Sequence, residues 1–220
     1  MKKIISKKII SISVLSFLLV QIFYVFGIEP TISNAATATD NVIVTLNVTS
    51  GVTISNGSDT TMTPNLGVTS DRSVGSSSWS VATNSATGYT LAVKASTNPA
   101  LRNGSTDNFT DYTEATPGTP DVWGGVAVSA KEFGYSAYGT DTSTATWGTS
   151  LDCGNTSSGV PAAAQKYRGF STSDVTISSR NGVTPNAGIT TNICFAAQQN
   201  SVYAASGTYT ATITATATAS

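Results

Sequence analysis

Histidine is absent from the 220-residue chain, and charged residues make up only 10% of it. Without imidazole there is no Ser–His–Asp or Cys–His nucleophile and no zinc site built on histidine. An average soluble domain carries about 25% charged residues. Here Ser, Thr, Asn and Gly stand in their place, a surface of hydroxyls and amides typical of exported β proteins, in which Thr suits strands and Gly, Asn and Ser suit turns. Cysteine is nearly absent too, with two residues and no CxxC spacing, which argues against a redox pair. In an oxidising compartment the simplest expectation is one structural disulfide, Cys153–Cys194, with two free thiols as the alternative. Closing a loop of about 40 residues should contribute roughly 3–4 kcal/mol, mainly by restricting the unfolded chain.

Long apolar runs are scarce as well, and the first sets the compartment. Lys2, Lys3, Lys7 and Lys8 precede an apolar run from Ile9 to Ile28. Glu29-Pro30 breaks that run, and Ala36-Thr37-Ala38 follows at an A-x-A spacing. This is the layout of a secretory signal peptide over residues 1–38. The run approaches bilayer-spanning length, so an uncleaved N-terminal anchor is the competing reading. No Cys directly follows the run, and neither an LPxTG-like signal nor a second apolar span occurs towards the C-terminus. Secretion to the cell surface without a covalent tether is therefore the expectation. Removal of residues 1–38 takes away four of the 11 basic residues and one of the 12 acidic ones, leaving a net charge of −4. Nucleic acid, which calls for a basic stripe, is not an expected partner.

What is abundant is alternation. From Thr208 to Ala219, threonine fills one phase while Tyr209, Ala211, Ile213, Ala215, Ala217 and Ala219 fill the other. Strand side chains alternate faces, so the pattern predicts a long half-buried final strand. Val42, Val44, Leu46, Val48, Val52 and Ile54 hold one phase across 40–55. Strands around Trp79–Val81 and Tyr89–Val93 flank a Gly-containing turn and read as a β-hairpin. Shorter strands are expected at 126–128, 133–138, 175–177 and 189–197, a loop at 98–123, and a helical turn at 161–166. Many short strands between Gly/Pro/Asn turns predict an all-β fold, a single β-sandwich of Ig-like or jelly-roll-like kind over residues 39–220.

Candidate sites are few. Trp123 and Trp147, each followed by glycine, with Tyr135 and Tyr138, form an aromatic-rich second half that suits stacking on sugar rings; the competing reading is that they cap the core. Asp107 and Asp111 offer oxygen ligands of the kind calcium prefers, at a spacing unlike an EF-hand loop, and no other cofactor is expected. Asp107, Asp111, Glu114 and Asp121 supply the carboxylates a glycosidase would need. Solvated loop acids are the commoner explanation, so a non-enzymatic protein is the expectation.

Trp79-Ser-Val81, Gly88-Tyr-Thr-Leu-Ala-Val93 and Ser206-Gly-Thr-Tyr-Thr-Ala-Thr-Ile-Thr214 resemble, in order and kind, the segments of bacterial WxL-type cell-surface proteins. Trp-Ser-Val stands where that family has Trp-x-Leu, and Ala-Thr-Ala where it has a second one. The resemblance implies a secreted sandwich held non-covalently on peptidoglycan. Two functions follow as expectations: non-covalent binding of cell-wall polysaccharide, peptidoglycan or host glycan, or a self-associating structural subunit of a pilus, surface layer or matrix fibre, motivated by the final strand.

Overall fold

Each alternating strand of this sequence has one apolar face to bury, and two sheets placed face to face bury all of them at once. The computed structural model describes residues 41–55, 57–105 and 107–220. The leader, residues 1–38, lies outside the described residues. The chain divides into two units, Met1–Asn47 and Val48–Ser220. In the first, residues 41–47 form no regular secondary structure, and Val42, Ile43, Val44 and Leu46 are 83–89% exposed.

The second unit is a β-sandwich. Its strands are β1 (Val52–Ile54), β2 (Arg72–Thr83), β3 (Tyr89–Ala95), β4 (Leu101–Asn103), β5 (Asp107–Asp111), β6 (Asp121–Val122), β7 (Ala130–Gly139), β8 (Gly154–Asn155), β9 (Val160–Pro161), β10 (Lys166–Gly169), β11 (Val175–Arg180), β12 (Ile189–Asn200) and β13 (Ile213–Ala219). One helical turn, α1 (Thr144–Trp147), is capped by Ser143, whose hydroxyl accepts from the Thr146 N–H. The larger sheet runs β1-β2-β12-β7-β10-β6, with β5 added in parallel to β7 and β4 paired to β5. The smaller sheet runs β11-β3-β13, and β8 with β9 forms a separate ribbon.

The core lies between the two sheets. The larger contributes Trp79 and Val81 from β2, Phe133, Tyr135 and Ala137 from β7, and Ile193, Phe195 and Ala197 from β12. The smaller contributes Tyr89, Leu91 and Val93 from β3, and Ile177 from β11. Phe170 joins them, its ring stacked on Tyr135 at 4.3 Å and on Phe133 at 5.2 Å. β12 is buried on both faces, because a second cluster of Val74, Tyr112, Tyr167, Cys194 and Ala196 covers the far side of the larger sheet. Cys194 bonds to Cys153 there, as expected from the sequence, and so fastens the loop after α1 to that outer face.

Several expectations are corrected. β2 and β3 are not a hairpin: β2 pairs with β1 and β12, and β3 with β11 and β13. Trp79 and Val81 approach the core from one sheet while Tyr89, Leu91 and Val93 approach it from the other, so residues 84–88 turn a corner between layers. Gly88 makes that corner feasible, with φ of +90° and the Arg180 carbonyl 1.8 Å from where a Cβ would sit. Residues 161–166 hold no helix, and the helical turn is α1. The 98–123 stretch contains β4, β5 and β6. Of the alternation over 40–55 only Val52–Ile54 is a strand. The regular final strand starts at Ile213, although Tyr209 and Ala211 also pack against the core and Thr210 bridges to Arg102.

The disulfide spans 41 residues and its Cys194 half is fully buried. Replacing both cysteines by alanine should lower the unfolding free energy by roughly 3–4 kcal/mol, measured by denaturant titration. A loss under about 1 kcal/mol would mean that the loop it closes is already constrained in the unfolded chain.

Candidate functional site

The aromatic candidates do not form an exposed platform. Tyr135 is 1% exposed, and Trp147, carried by α1, is 2% exposed with its ring 5.5 Å from Tyr135. Both belong to the core cluster between the sheets, Tyr135 from β7 and Trp147 from α1. Trp123 is half-buried on the opposite face. Its ring stacks on Tyr112 at 4.4 Å, meets Tyr167 edge-on at 5.3 Å, and its indole N–H donates to Gln198 Oε1 at 2.8 Å. Gly134 leaves room for this packing, since a Cβ there would lie 2.8 Å from Tyr112 Cβ and 3.1 Å from the Trp123 ring. Tyr138 is half-buried beside the same cluster. The four rings are therefore divided between two packed layers.

The carboxylates are likewise held by the fold. Asp107 accepts from Lys131 Nζ, the Tyr209 hydroxyl and the backbone N–H groups of Asn108 and Ala205. The Lys131 and Tyr209 hydrogen bonds hold its carboxyl well below the usual carboxylate range. These partners occupy both oxygens that calcium coordination would use. Asp111 stands two strand positions beyond the buried Phe109. Its Oδ1 accepts from the Ala100 N–H at 3.1 Å, while its buried Oδ2 has no partner. Burial pushes this carboxyl up to about 6, against the lowering influence of that N–H and of Arg102. Glu114 accepts from the Gly169 N–H and faces Arg168, and Asp121 accepts from the Tyr112 hydroxyl and the Ala115 N–H. The four acids thus have separate partners. Among the described residues no group of three or more acids or cysteines is arranged to hold a metal.

A shallow open depression of about 440 Å³ lies between Thr140–Ser143 and Ser179–Asn181. At its floor Asp141 accepts from the Tyr89 hydroxyl at 2.9 Å and from Arg180 Nη1 at 3.2 Å. Burial and the bond to Asp141 push the Tyr89 phenol to about 12.

The most distinctive surface is the outer edge of β13. In an antiparallel ladder alternate residues direct both backbone groups at one neighbour. The Ser96 N–H donates to the Thr212 carbonyl and the Ser220 N–H to the Gly88 carbonyl. The residues in phase with them, Thr214, Thr216 and Thr218, therefore face β3. Ile213, Ala215, Ala217 and Ala219 direct N–H and C=O the other way, and among the described residues no strand pairs with that side. β1 comes near without joining the ladder, and it is only three residues long. The side chains of Ile213, Ala215 and Ala217 turn towards the core but stay half-exposed, whereas Tyr89, Leu91 and Val93 on the adjacent β3 are fully buried. The apolar face is thus only half covered along this edge.

The other described sheet ends are blunted. β11 has a bulge between Thr176 and Ser178 and ends in Arg180, β1 has three residues and β6 two. Bulges, charges and short length are the usual guards against edge pairing. β13 has seven residues and no charge, proline or bulge. The chain matches no family model, no curated protein and no solved structure.

Opposite pH responses are expected at the two β5 carboxylates. The folded-state value of Asp107 lies below the unfolded one, so its stabilisation is present above about pH 4 and is lost as pH falls. Asp107→Asn should therefore destabilise at neutral pH, with the deficit shrinking below about pH 4. The folded-state value of Asp111 is raised, so its contribution is full below about pH 4 and is lost as pH rises through about 6. Asp111→Asn should stabilise at neutral pH by on the order of 1 kcal/mol, discounted for screening of a half-exposed group, and have little effect at pH 4. Thermal unfolding of Asp107→Asn at about pH 2 and pH 8, and of Asp111→Asn at about pH 4 and pH 8, checks the signs.

Proposed function

We propose that this chain is a non-enzymatic, exported structural subunit that self-assembles at the cell surface through strand addition. The unguarded edge of β13 carries the reading. It offers four outward N–H groups and four outward carbonyls above a half-covered apolar face. Main-chain pairing at such an edge supplies affinity, and side-chain packing beneath it supplies specificity. A hydroxyl-rich, charge-poor surface and a disulfide-fastened outer face suit a passive extracellular role. The lysine-led apolar N-terminus supports export, and the WxL-like segments support placement at the wall.

Non-covalent binding of wall or host glycan is the second reading. The depression between Thr140–Ser143 and Ser179–Asn181, lined by hydroxyls, an amide and the Asp141–Arg180 pair, favours it. Sugars bind through networks of such groups, but the apolar stacking half of that recognition has no exposed ring at this depression.

Sedimentation velocity and negative-stain microscopy on the full-length chain, exported by a bacterial host and recovered outside the cell, separate the readings. Assembly should grow with protein concentration and change little with salt, because β13 carries no charge. A strict monomer that pellets only with isolated wall sacculi would overturn the structural-subunit reading in favour of glycan binding.

A further inference from the structure

The residues that open the described chain show a mismatch between sequence and state. Val42, Val44, Leu46 and Val48 keep strict alternation, and three of the four are β-branched, the residue class most at home in strands. Yet, among the described residues, 41–50 belong to no strand, and these four side chains are 76–88% exposed. Natural sequences seldom set local preference against observed state, and where they do the conflict marks a functional or strained site. The root of the segment is fixed, since Asn84 donates to the Thr49 carbonyl at 2.8 Å and accepts from the Gly51 N–H at 2.7 Å.

We infer that Val42–Val48 of one copy docks as an added strand on the free edge of β13 in a second copy. The inference rests on the reading of the chain as an assembling subunit, and it names the donor. Seven residues face seven: Val42–Val48 spans the same length as Ile213–Ala219. Neither segment carries a charge or a proline. The inward positions of β13 beyond Ile213 are all alanine, which leaves the core beside them shallow. Val42, Val44, Leu46 and Val48, turned to the same side, supply the bulk that those alanines lack. Ile43, Thr45 and Asn47 then continue the outer face begun by Thr214, Thr216 and Thr218. Each subunit would give one strand and receive one, a head-to-tail contact that propagates as a filament unless its rotation closes a ring.

Two variants and one crosslink test this on the full-length exported chain. Leu46 is 84% exposed, so Leu46→Lys should leave the subunit's melting temperature unchanged while abolishing assembly. Ala217→Pro removes an outward N–H and none of the ladder bonds to β3, and should weaken association at least ~tenfold. Thr216→Pro, which breaks the β3 ladder, is the contrast that lowers the melting temperature. Leu46→Cys in one copy is co-expressed with Ala215→Cys, Ala217→Cys or Ala219→Cys in another and read on a non-reducing gel. A crosslinked dimer from one of these mixtures, together with loss of assembly in Leu46→Lys, bears out the inference. An intramolecular crosslink in a control chain that carries Leu46→Cys together with one of the alanine-to-cysteine changes, with none between co-expressed copies, overturns it, because the segment then covers its own edge. Filaments that persist in Leu46→Lys with no crosslink overturn the donor assignment and leave the assembly reading standing. No assembly of the unaltered chain and no crosslink overturn both.

Discussion

The sandwich depends on one strand whose two neighbours and two faces are all filled. β12 pairs with β2 over ten positions and with β7 over ten, so its backbone groups have partners inside the sheet. Its odd positions, Ile193, Phe195 and Ala197, pack in the core, while Cys194 and Ala196 pack in the outer cluster. An unpaired N–H or C=O at that depth would forfeit the desolvation free energy of the group, about 1–3 kcal/mol each. The rest of the larger sheet is therefore laid out from β12 outward, and the disulfide at Cys194 ties the loop after α1 to the same strand.

Moving outward from that strand, the demand for partners is met less and less completely. The larger sheet dwindles to β1 and β6, so short that little backbone is left open. The smaller sheet ends on one side at the bulged β11 and on the other at β13, where the apolar face is half-exposed and, among the described residues, no strand pairs with the outward backbone groups. The ladder to β3 holds that flank on one side, while burial of its alanine and isoleucine side chains is incomplete. A chain that guards its other edges while leaving this one long and flat concentrates its potential for association there.

The class of fold was legible because alternation reports burial of one face, and burial of one face is what a sandwich requires. β2, β3, β11, β12 and the core of β13 could be read that way, and the pairing of Cys153 with Cys194 followed from their number and the expected compartment. Partnership was not legible. Trp79–Val81 and Tyr89–Val93 have the spacing of a hairpin, but the same spacing serves a corner between layers when both strands bury a full face. Trp147 looked exposed because glycine follows it in a polar stretch, yet Ser143 caps a short turn that swings the ring into the core. Asp107 and Asp111 sit on one strand, and nothing in their spacing tells that Lys131 and Tyr209 come to the first while the second is left with a bare oxygen. The segment Val42–Val48 is the reverse case: its pattern is that of a strand, and among the described residues it belongs to none.

Residue-resolved hydrogen exchange along β13, compared between dispersed and assembled protein, tests the account most directly. In the dispersed subunit the amides of Thr214, Thr216 and Thr218 are already bonded to β3, whereas those of Ile213, Ala215, Ala217 and Ala219 point outward. The account predicts that assembly slows exchange at the second set and changes the first set far less, an alternation that only strand addition at this edge produces. Equal exchange at the outward amides in both states would contradict it, and would place the contact between subunits elsewhere on the molecule.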